Sequence, residues 1–207
     1  MYSLKLTFKS LSAALALTSA ASHAATVLNP SFEDTVVGDD SFSGVIANWV
    51  ATGPATGTQD FPASQTPQTT FGLQHAYVNS GSSINQNTSE TIIGGQKYTL
   101  TVNVGQVSAF SGSTATIRLY GNTLSNVIAE FTGIAPSTGA YLLDQTFSYT
   151  ALTSGDPFAG QTVGIALIGT GGTQVIFDNV RFDVIPEPTT ALLGGLGALA
   201  LLRRRRI

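Results

Sequence analysis

The sequence predicts an all-β protein, a single jelly-roll-like β-sandwich of about eight to ten strands. Three observations lead to this prediction. The middle of the chain is rich in Gly, Ser and Thr, its apolar residues recur at every second position, and turn-forming residues separate the alternating runs. Alternation at period two is typical of strands that are buried on one face only. An N-terminal signal helix and a short C-terminal transmembrane helix are expected to flank the sandwich.

The clearest strand lies at residues 98–104, Tyr-Thr-Leu-Thr-Val-Asn-Val, where large apolar and polar side chains alternate throughout. Three further runs alternate in whole or in part, at 116–120, 163–167 and 175–182. Turn signals stand between them, at Gly94-Gly95, Gly121-Asn122 and the glycine-rich run 169–172. Residues 52–70 are rich in Thr, Pro, Gly and Gln with few large apolar residues, which predicts a long loop.

Residues 1–24 have the order of a secretory signal peptide. Lys5 and Lys9 precede an apolar run at 11–17, and small residues follow up to Ala24, after which cleavage is predicted. The run is too short to span a bilayer and lacks the capping of a folded helix. We therefore expect the Sec translocon and signal peptidase as partners, and a single β domain at 25–185.

The C-terminal segment, 186–207, has three parts. Pro186-Glu187-Pro188 is followed by an uncharged stretch at 189–202 and then by the basic cluster Arg203, Arg204, Arg205 and Arg206. The stretch would form a helix of roughly 21 Å, short of a hydrocarbon core of about 30 Å. Arginines directly after an apolar run indicate the cytoplasmic side, so the domain is predicted outside and the tail in the inner membrane.

This three-part segment resembles the PEP-CTERM sorting signal. The resemblance implies recognition by an exosortase, an integral-membrane transpeptidase-like enzyme of Gram-negative bacteria that make exopolysaccharide. It implies an inner-membrane intermediate and then a location at the cell surface or in the extracellular matrix of a biofilm. The resemblance predicts where the protein is delivered and does not indicate an activity.

Composition excludes several classes of function. Between residues 25 and 185 only three basic residues stand against eleven acidic ones, which leaves a formal charge of −8. A domain this acidic lacks the positively charged surface that binds phosphate backbones, so no nucleic acid is expected as a partner. The chain has no cysteine, which excludes disulfides, thiolate nucleophiles and cysteine-based zinc sites.

Several short segments of the middle domain resemble the galactose-binding-like jelly roll of carbohydrate-binding modules. Leu28-Asn29-Pro30-Ser31-Phe32-Glu33 is similar to the family's opening strand, and Phe177-Asp178-Asn179-Val180 to its last. Ala47-Asn48-Trp49 and Tyr98-Thr99-Leu100 match further parts. The resemblance implies a structural calcium ion held by Glu33 and Asp178, in keeping with the preference of calcium for oxygen ligands. The alternative is that both are ordinary surface or hydrogen-bonded acids.

The resemblance also suggests aromatic side chains that could stack on a sugar ring. Trp49, Phe61 and Tyr120 are the candidates, with Tyr141 and Tyr149 as further ones. The alternative for Trp49, the only tryptophan, is a place in the hydrophobic core, which is the commoner position in a β-sandwich.

Catalytic motifs are missing from the sequence. His75 is the only histidine after the predicted signal peptide, and no nucleophile-elbow pattern surrounds any serine. We therefore expect a non-enzymatic, exosortase-sorted protein that binds carbohydrate, such as exopolysaccharide, with no cofactor beyond calcium. The alternatives are a structural or adhesive matrix protein without a sugar site, and a polysaccharide hydrolase that uses two acids.

Overall fold

The computed structural model describes residues 23–62, 64–65 and 71–186, and this part of the chain is built from strands and turns. The twelve strands are β1 (His23–Ala24), β2 (Ser41–Ser43), β3 (Val50–Thr52), β4 (Thr56–Asp60), β5 (His75–Asn79), β6 (Ser83–Thr91), β7 (Gln96–Gln106), β8 (Thr114–Gly121), β9 (Val127–Ile134), β10 (Ala140–Thr150), β11 (Thr162–Gly171) and β12 (Gln174–Pro186).

The strands form two antiparallel sheets. The seven-stranded sheet has the order β10-β7-β12-β5-β4-β2, and β1 pairs with the far end of β12. The five-stranded sheet has the order β3-β6-β11-β8-β9. Non-consecutive neighbours run through both sheets, as in a jelly roll, so the predicted all-β sandwich is confirmed. The strand count exceeds the prediction because β1, β2 and β3 are only two or three residues long.

The core between the sheets is built by the alternation seen in the sequence. In β7, every second residue from Tyr98 to Val104 is fully buried, and β12 contributes Val175, Phe177 and Phe182. β11 faces them with Val163, Ile165 and Leu167. Full burial of such side chains contributes about 1.5–3 kcal/mol each relative to exposure, which is how a domain without disulfides is stabilised.

The prediction of a long loop at 52–70 is wrong for its first half. β4 lies at Thr56–Asp60 and pairs with β5 on one side and β2 on the other. Its sequence, Thr-Gly-Thr-Gln-Asp, has no large apolar residue, yet four of its five residues are buried. Small side chains are needed there because a Cβ on Gly57 would lie 2.6 Å from the ring of Tyr77 and 1.9 Å from the carbonyl oxygen of Ser43. The strand is therefore specified by close packing and carries no alternating pattern.

The first and last strands of the domain lie side by side, since β1 pairs with the C-terminal part of β12. His23 pairs with Val184 and Ala24 with Asp183, while β12 continues to Pro186. The predicted signal helix and the predicted C-terminal helix lie outside the described residues, and the boundaries 1–24, 25–185 and 186–207 stay predictions. Within the ranges that the structure describes, no helix is long and apolar enough to cross a membrane.

Candidate functional site

The face of the seven-stranded sheet that points away from the core is covered as well. In β5, Ala76 and Val78 point into the core, so His75 and Tyr77 point to the opposite face, and both are buried. Polar side chains of the neighbouring strands are buried at the same face: Gln59 of β4, Gln174 and Asp178 of β12, and Asn103 of β7. We call this face the outer face. Burying so many polar groups is costly unless each finds a partner, and this distinguishes the outer face from an ordinary solvated sheet.

An apolar cluster lies on the outer face, separate from the main core. It consists of Tyr77, Val107 and Ile176, with the partly buried Phe110 and Tyr141 packed against them. Gly105 of β7 lies opposite both Tyr141 and Ile176. A Cβ at this position would come within 2.7 Å of the Tyr141 ring and 2.9 Å of Ile176 Cγ1. The glycine therefore provides the space in which the tyrosine ring lies across β7.

The Tyr141 hydroxyl is the most informative polar group in this cluster. Its oxygen is buried, and it has no hydrogen-bond partner among the described residues. Burial raises the pKa of Tyr141 well above 10, and the negative charge of Asp178 raises it further. The phenol is therefore neutral at physiological pH, close to a carboxyl group, and able to hydrogen-bond a molecule that enters this face.

A hydrogen-bonded polar row extends from the apolar cluster toward β4. The Gln59 side-chain nitrogen lies 2.9 Å from His75 Nε2 and 3.2 Å from Gln174 Oε1, and Gln174 donates in turn to Asn79 Oδ1. Burial lowers the pKa of His75 to about 3, so its ring is neutral. This network holds the strands together with each member satisfied by another, which favours a structural role for His75.

Two β-bulges flank the site on either side of Asn103. One interrupts the pairing of β10 with β7 between Leu142 and Gln145, and the other interrupts β12 against β7 directly after Asp178. Each contains a residue with positive φ, Asp144 at 52° and Asn179 at 49°. Asn103 Oδ1 accepts a hydrogen bond from the Asp144 amide, which fixes the first bulge. Bulges are common next to functional sites, and these two closely follow the paired positions of Tyr141 and Asp178.

The two acids of the calcium prediction approach the same strand end. Glu33 Oε1 accepts hydrogen bonds from the amides of Leu73 and Gln74, just before β5. Asp178 is buried and follows Phe177, which pairs with Ala76 of β5, and its Oδ1 accepts from the Asn179 amide. In the described ranges no group of three or more His, Cys, Asp or Glu residues is placed to hold a metal ion. Backbone carbonyl oxygens would therefore have to complete a calcium shell.

The three predicted sugar-stacking residues do not form an exposed platform. Trp49 is buried, packs on Phe32 with ring centroids 5.5 Å apart, and donates from Nε1 to the Asn29 carbonyl. Tyr120 is also buried and belongs to the five-stranded sheet, whereas Phe61 is only partly buried in the segment after β4. For Trp49 the structure shows the core position that the sequence favoured.

Comparison with family models decides which family the domain belongs to. The model described as HpiC1 cyclase matches residues 23–183, which is most of the chain. The chain belongs to the HpiC1-like cyclase family. The PEP-CTERM protein-sorting motif matches residues 184–206, which confirms the resemblance of the C-terminal segment. The cyclase-family protein is thus an exported exosortase substrate that passes through a membrane-anchored sorting intermediate.

Solved cyclase structures share the fold of this chain. The apo form of a cyclase from Fischerella sp. superposes with a TM-score of 0.70 at 21% identity, covering 83% of this chain and 100% of that chain. A cyclase from Fischerella sp. TAU in complex with 4-(1H-indol-3-yl)butan-2-one gives 0.68 at 18% identity, covering 81% and 100%. TmCBM61 in complex with β-1,4-galactotriose gives 0.47 at 14% identity, covering 79% and 99%. A search of curated proteins finds no match.

The expectation of a non-enzymatic protein is wrong, because the family to which the domain belongs consists of cyclases. That expectation depended on missing serine–histidine and metal motifs. On the outer face, the phenol of Tyr141 comes from β10 and the carboxyl of Asp178 from β12, 37 positions apart in the sequence, so a short motif cannot contain both. Asp178 and Tyr141 were singled out for other roles, whereas Asn103, Gln59 and Gln174 were overlooked, since a polar residue in an alternating strand normally faces solvent.

Proposed function

We propose that this cyclase-family protein is an exported enzyme that binds a small, flat heteroaromatic molecule on the outer face and closes a ring in it. The observation that carries the proposal is the buried Tyr141 hydroxyl, which has no partner among the described residues. A buried polar group left unpaired costs roughly 1–3 kcal/mol, and a ligand that hydrogen-bonds to it would recover this.

The side chains of the outer face suit an indole-like ligand. Tyr77, Phe110, Tyr141 and Ile176 offer aromatic and aliphatic surfaces for a flat ring. The carboxyl group of Asp178 offers an acceptor for one N–H donor. Two of the similar cyclases were crystallised with indole compounds, which supports the same ligand class here.

The same groups can carry the chemistry of a cyclisation. A carboxyl and a phenol on a face shielded from water are suitable general acid and base groups. A ring closure that yields an isomer of its substrate balances without a co-reactant: the proton given at one atom is recovered from another. We assign proton transfer to Asp178 and hydrogen-bonding of the developing charge to Tyr141.

Binding of an indole probe tests the proposal. Titration calorimetry with 4-(1H-indol-3-yl)butan-2-one is expected to show one site, and Tyr141→Phe is expected to weaken binding by about 2- to 12-fold, the worth of one neutral hydrogen bond. Tyr120→Phe makes the same change on the five-stranded sheet and should leave the affinity unchanged. No binding to the unmodified protein, or equal losses in both variants, would contradict the proposal.

A carbohydrate is the second candidate ligand. The resemblance to sugar-binding modules motivates it, and the aromatic side chains and the Tyr141 hydroxyl of the outer face could contact a sugar ring and one of its hydroxyls. A galacto-oligosaccharide that binds where indole compounds do not would favour it. Delivery to the cell surface or to the exopolysaccharide matrix is part of either proposal, since both ligands would be met outside the inner membrane.

Calcium binding by Glu33 and Asp178 is a further part of the proposal. Burial raises the pKa of Asp60, and the nearby charges of Asp39 and Glu33 raise it further. Glu33 therefore belongs to a cluster of acidic side chains. A divalent cation would relieve this repulsion and tie the first segment of the domain to the last strand.

We expect calcium to raise the melting temperature by several degrees relative to EDTA, since a ligand that binds only the folded state stabilises it. Thermal unfolding with and without calcium measures this. Glu33→Gln should abolish the response, whereas Glu130→Gln, on the five-stranded sheet, should keep it. An unchanged melting temperature in the parent protein would remove the metal site and leave Glu33 as a residue that binds the Leu73 and Gln74 amides.

A further inference from the structure

The sorting signal begins inside the last strand of the domain. Ile185 pairs with Lys97 and Pro186 with Gln96, so β12 remains paired with β7 up to the first residue of the Pro-Glu-Pro motif. The uncharged stretch starts at residue 189. Three residues span at most about 10 Å, so the domain has almost no spacer between its last paired residue and the membrane-directed segment.

Exposed apolar side chains gather at the end of the sandwich from which the chain leaves. Ile93 is 54% exposed, Leu152 is 58% exposed, and Ile185 is 38% exposed. The loops that carry the first two are adjacent, since the Gly95 amide donates to the Ala151 carbonyl at 3.0 Å. We call Ile93, Leu152 and Ile185 the exit tip.

The strand registers place all three members at one level. Lys97 pairs with Ile185 on one side and with Thr150 on the other, so Leu152 follows two residues after this row. Ile93 lies four residues before Lys97, in the turn whose end is fixed by the bond from the Gln96 amide to the Ile93 carbonyl. β1 lies at the same end, because His23 pairs with Val184.

We propose that the exit tip rests in the headgroup region of the inner membrane while the sorting signal holds the chain there. The tether brings these side chains to the lipid surface, and their burial among headgroups and upper acyl chains removes apolar area from water. The contact is apolar in nature, because a domain with a formal charge of −8 is repelled by anionic lipids. Among the described residues, Lys97 is the one lysine or arginine in the row that pairs with Ile185 and Thr150. The folded domain is therefore presented to the sorting enzyme in one orientation, with the exit tip toward the membrane.

Site-specific labelling of the full-length chain tests this placement. The chain has no cysteine, so Ile93→Cys and Leu152→Cys each provide a single site for an environment-sensitive fluorophore. The matched control is Leu143→Cys, which is 62% exposed and lies on β10, roughly 20 Å along the strand from Thr150. Each variant is reconstituted in vesicles of phosphatidylethanolamine with a minority of phosphatidylglycerol, with and without nitroxide-labelled lipid.

The labels at 93 and 152 are expected to be quenched severalfold more strongly than the label at 143. Equal quenching at all three positions would mean that the domain lies against the bilayer without a preferred orientation. Absence of quenching at 93 and 152 would mean that the domain stands clear of the membrane. Either result overturns the proposal. All three sites are exposed, and thermal unfolding of each labelled protein checks that the sandwich is intact.

Discussion

The Asp178→Asn variant is expected to bind 4-(1H-indol-3-yl)butan-2-one about 13- to 160-fold more weakly than the parent protein. A hydrogen bond to a charged acceptor is worth about 1.5–3 kcal/mol, and asparagine keeps the shape of the side chain while it removes the charge. Its Oδ1 can still accept the bond from the Asn179 amide, so the bulge after residue 178 should persist. Calorimetry in EDTA measures the affinity apart from any effect of calcium.

Asp183→Asn is the matched control, because Asp183 lies five residues further along the same strand, where it pairs with Thr99, away from the cluster of Tyr77, Val107 and Ile176. It should bind the probe as the parent protein does. A melting temperature of Asp178→Asn within a few degrees of the parent value would show that binding was lost without unfolding. Unchanged affinity in the Asp178→Asn variant would remove Asp178 from the ligand site and leave calcium binding as its only proposed role.

The sheets of this domain could be predicted because their strands alternate. The runs at 98–104, 116–120, 163–167 and 175–182 all became strands of the sandwich, and their apolar positions became its core. Period two is a local property, so it can be recognised without knowing which strands are neighbours. β4 was not predicted, because its residues reflect contacts with other strands and not a local pattern. At Gly57, for example, Ser43 and Tyr77 leave no room for a side chain.

The site could not be predicted in the same way, since it depends on which face is covered. Asn103 and Asp178 occupy the positions of polar residues in alternating strands, and the sequence places them toward solvent. Both are buried nonetheless. Beyond the end of β7, the amide of Ser108 donates to the Gln65 carbonyl, a contact that the sequence does not reveal. The resemblance to carbohydrate-binding modules did single out Asp178, but it assigned calcium to the residue and gave no reason to place Tyr141 beside it.

Acidification is expected to destabilise the folded domain through His75. Its pKa of about 3 in the folded state lies below the ordinary value of 6.5, because burial disfavours the charged ring. Below pH 6.5 His75 is protonated in the unfolded chain, whereas in the folded chain it stays neutral down to about pH 3. The stabilisation is therefore complete above pH 6.5 and is lost as the pH falls, by about 1.4 kcal/mol per pH unit, or about 3 kcal/mol at pH 4.

The His75→Gln variant isolates this contribution, since glutamine does not titrate and can still accept a hydrogen bond from Gln59. Carboxyl groups such as Asp60 and Asp156 titrate in both proteins and cancel in the difference. Urea unfolding between pH 7 and pH 4 should give a free energy that falls about 3 kcal/mol further in the parent protein than in the variant. Parallel curves would mean that His75 takes up its proton in the folded state, which would require water to reach the polar row. The outer face would then be open to solvent, and the unpaired Tyr141 hydroxyl would bind water as readily as a ligand.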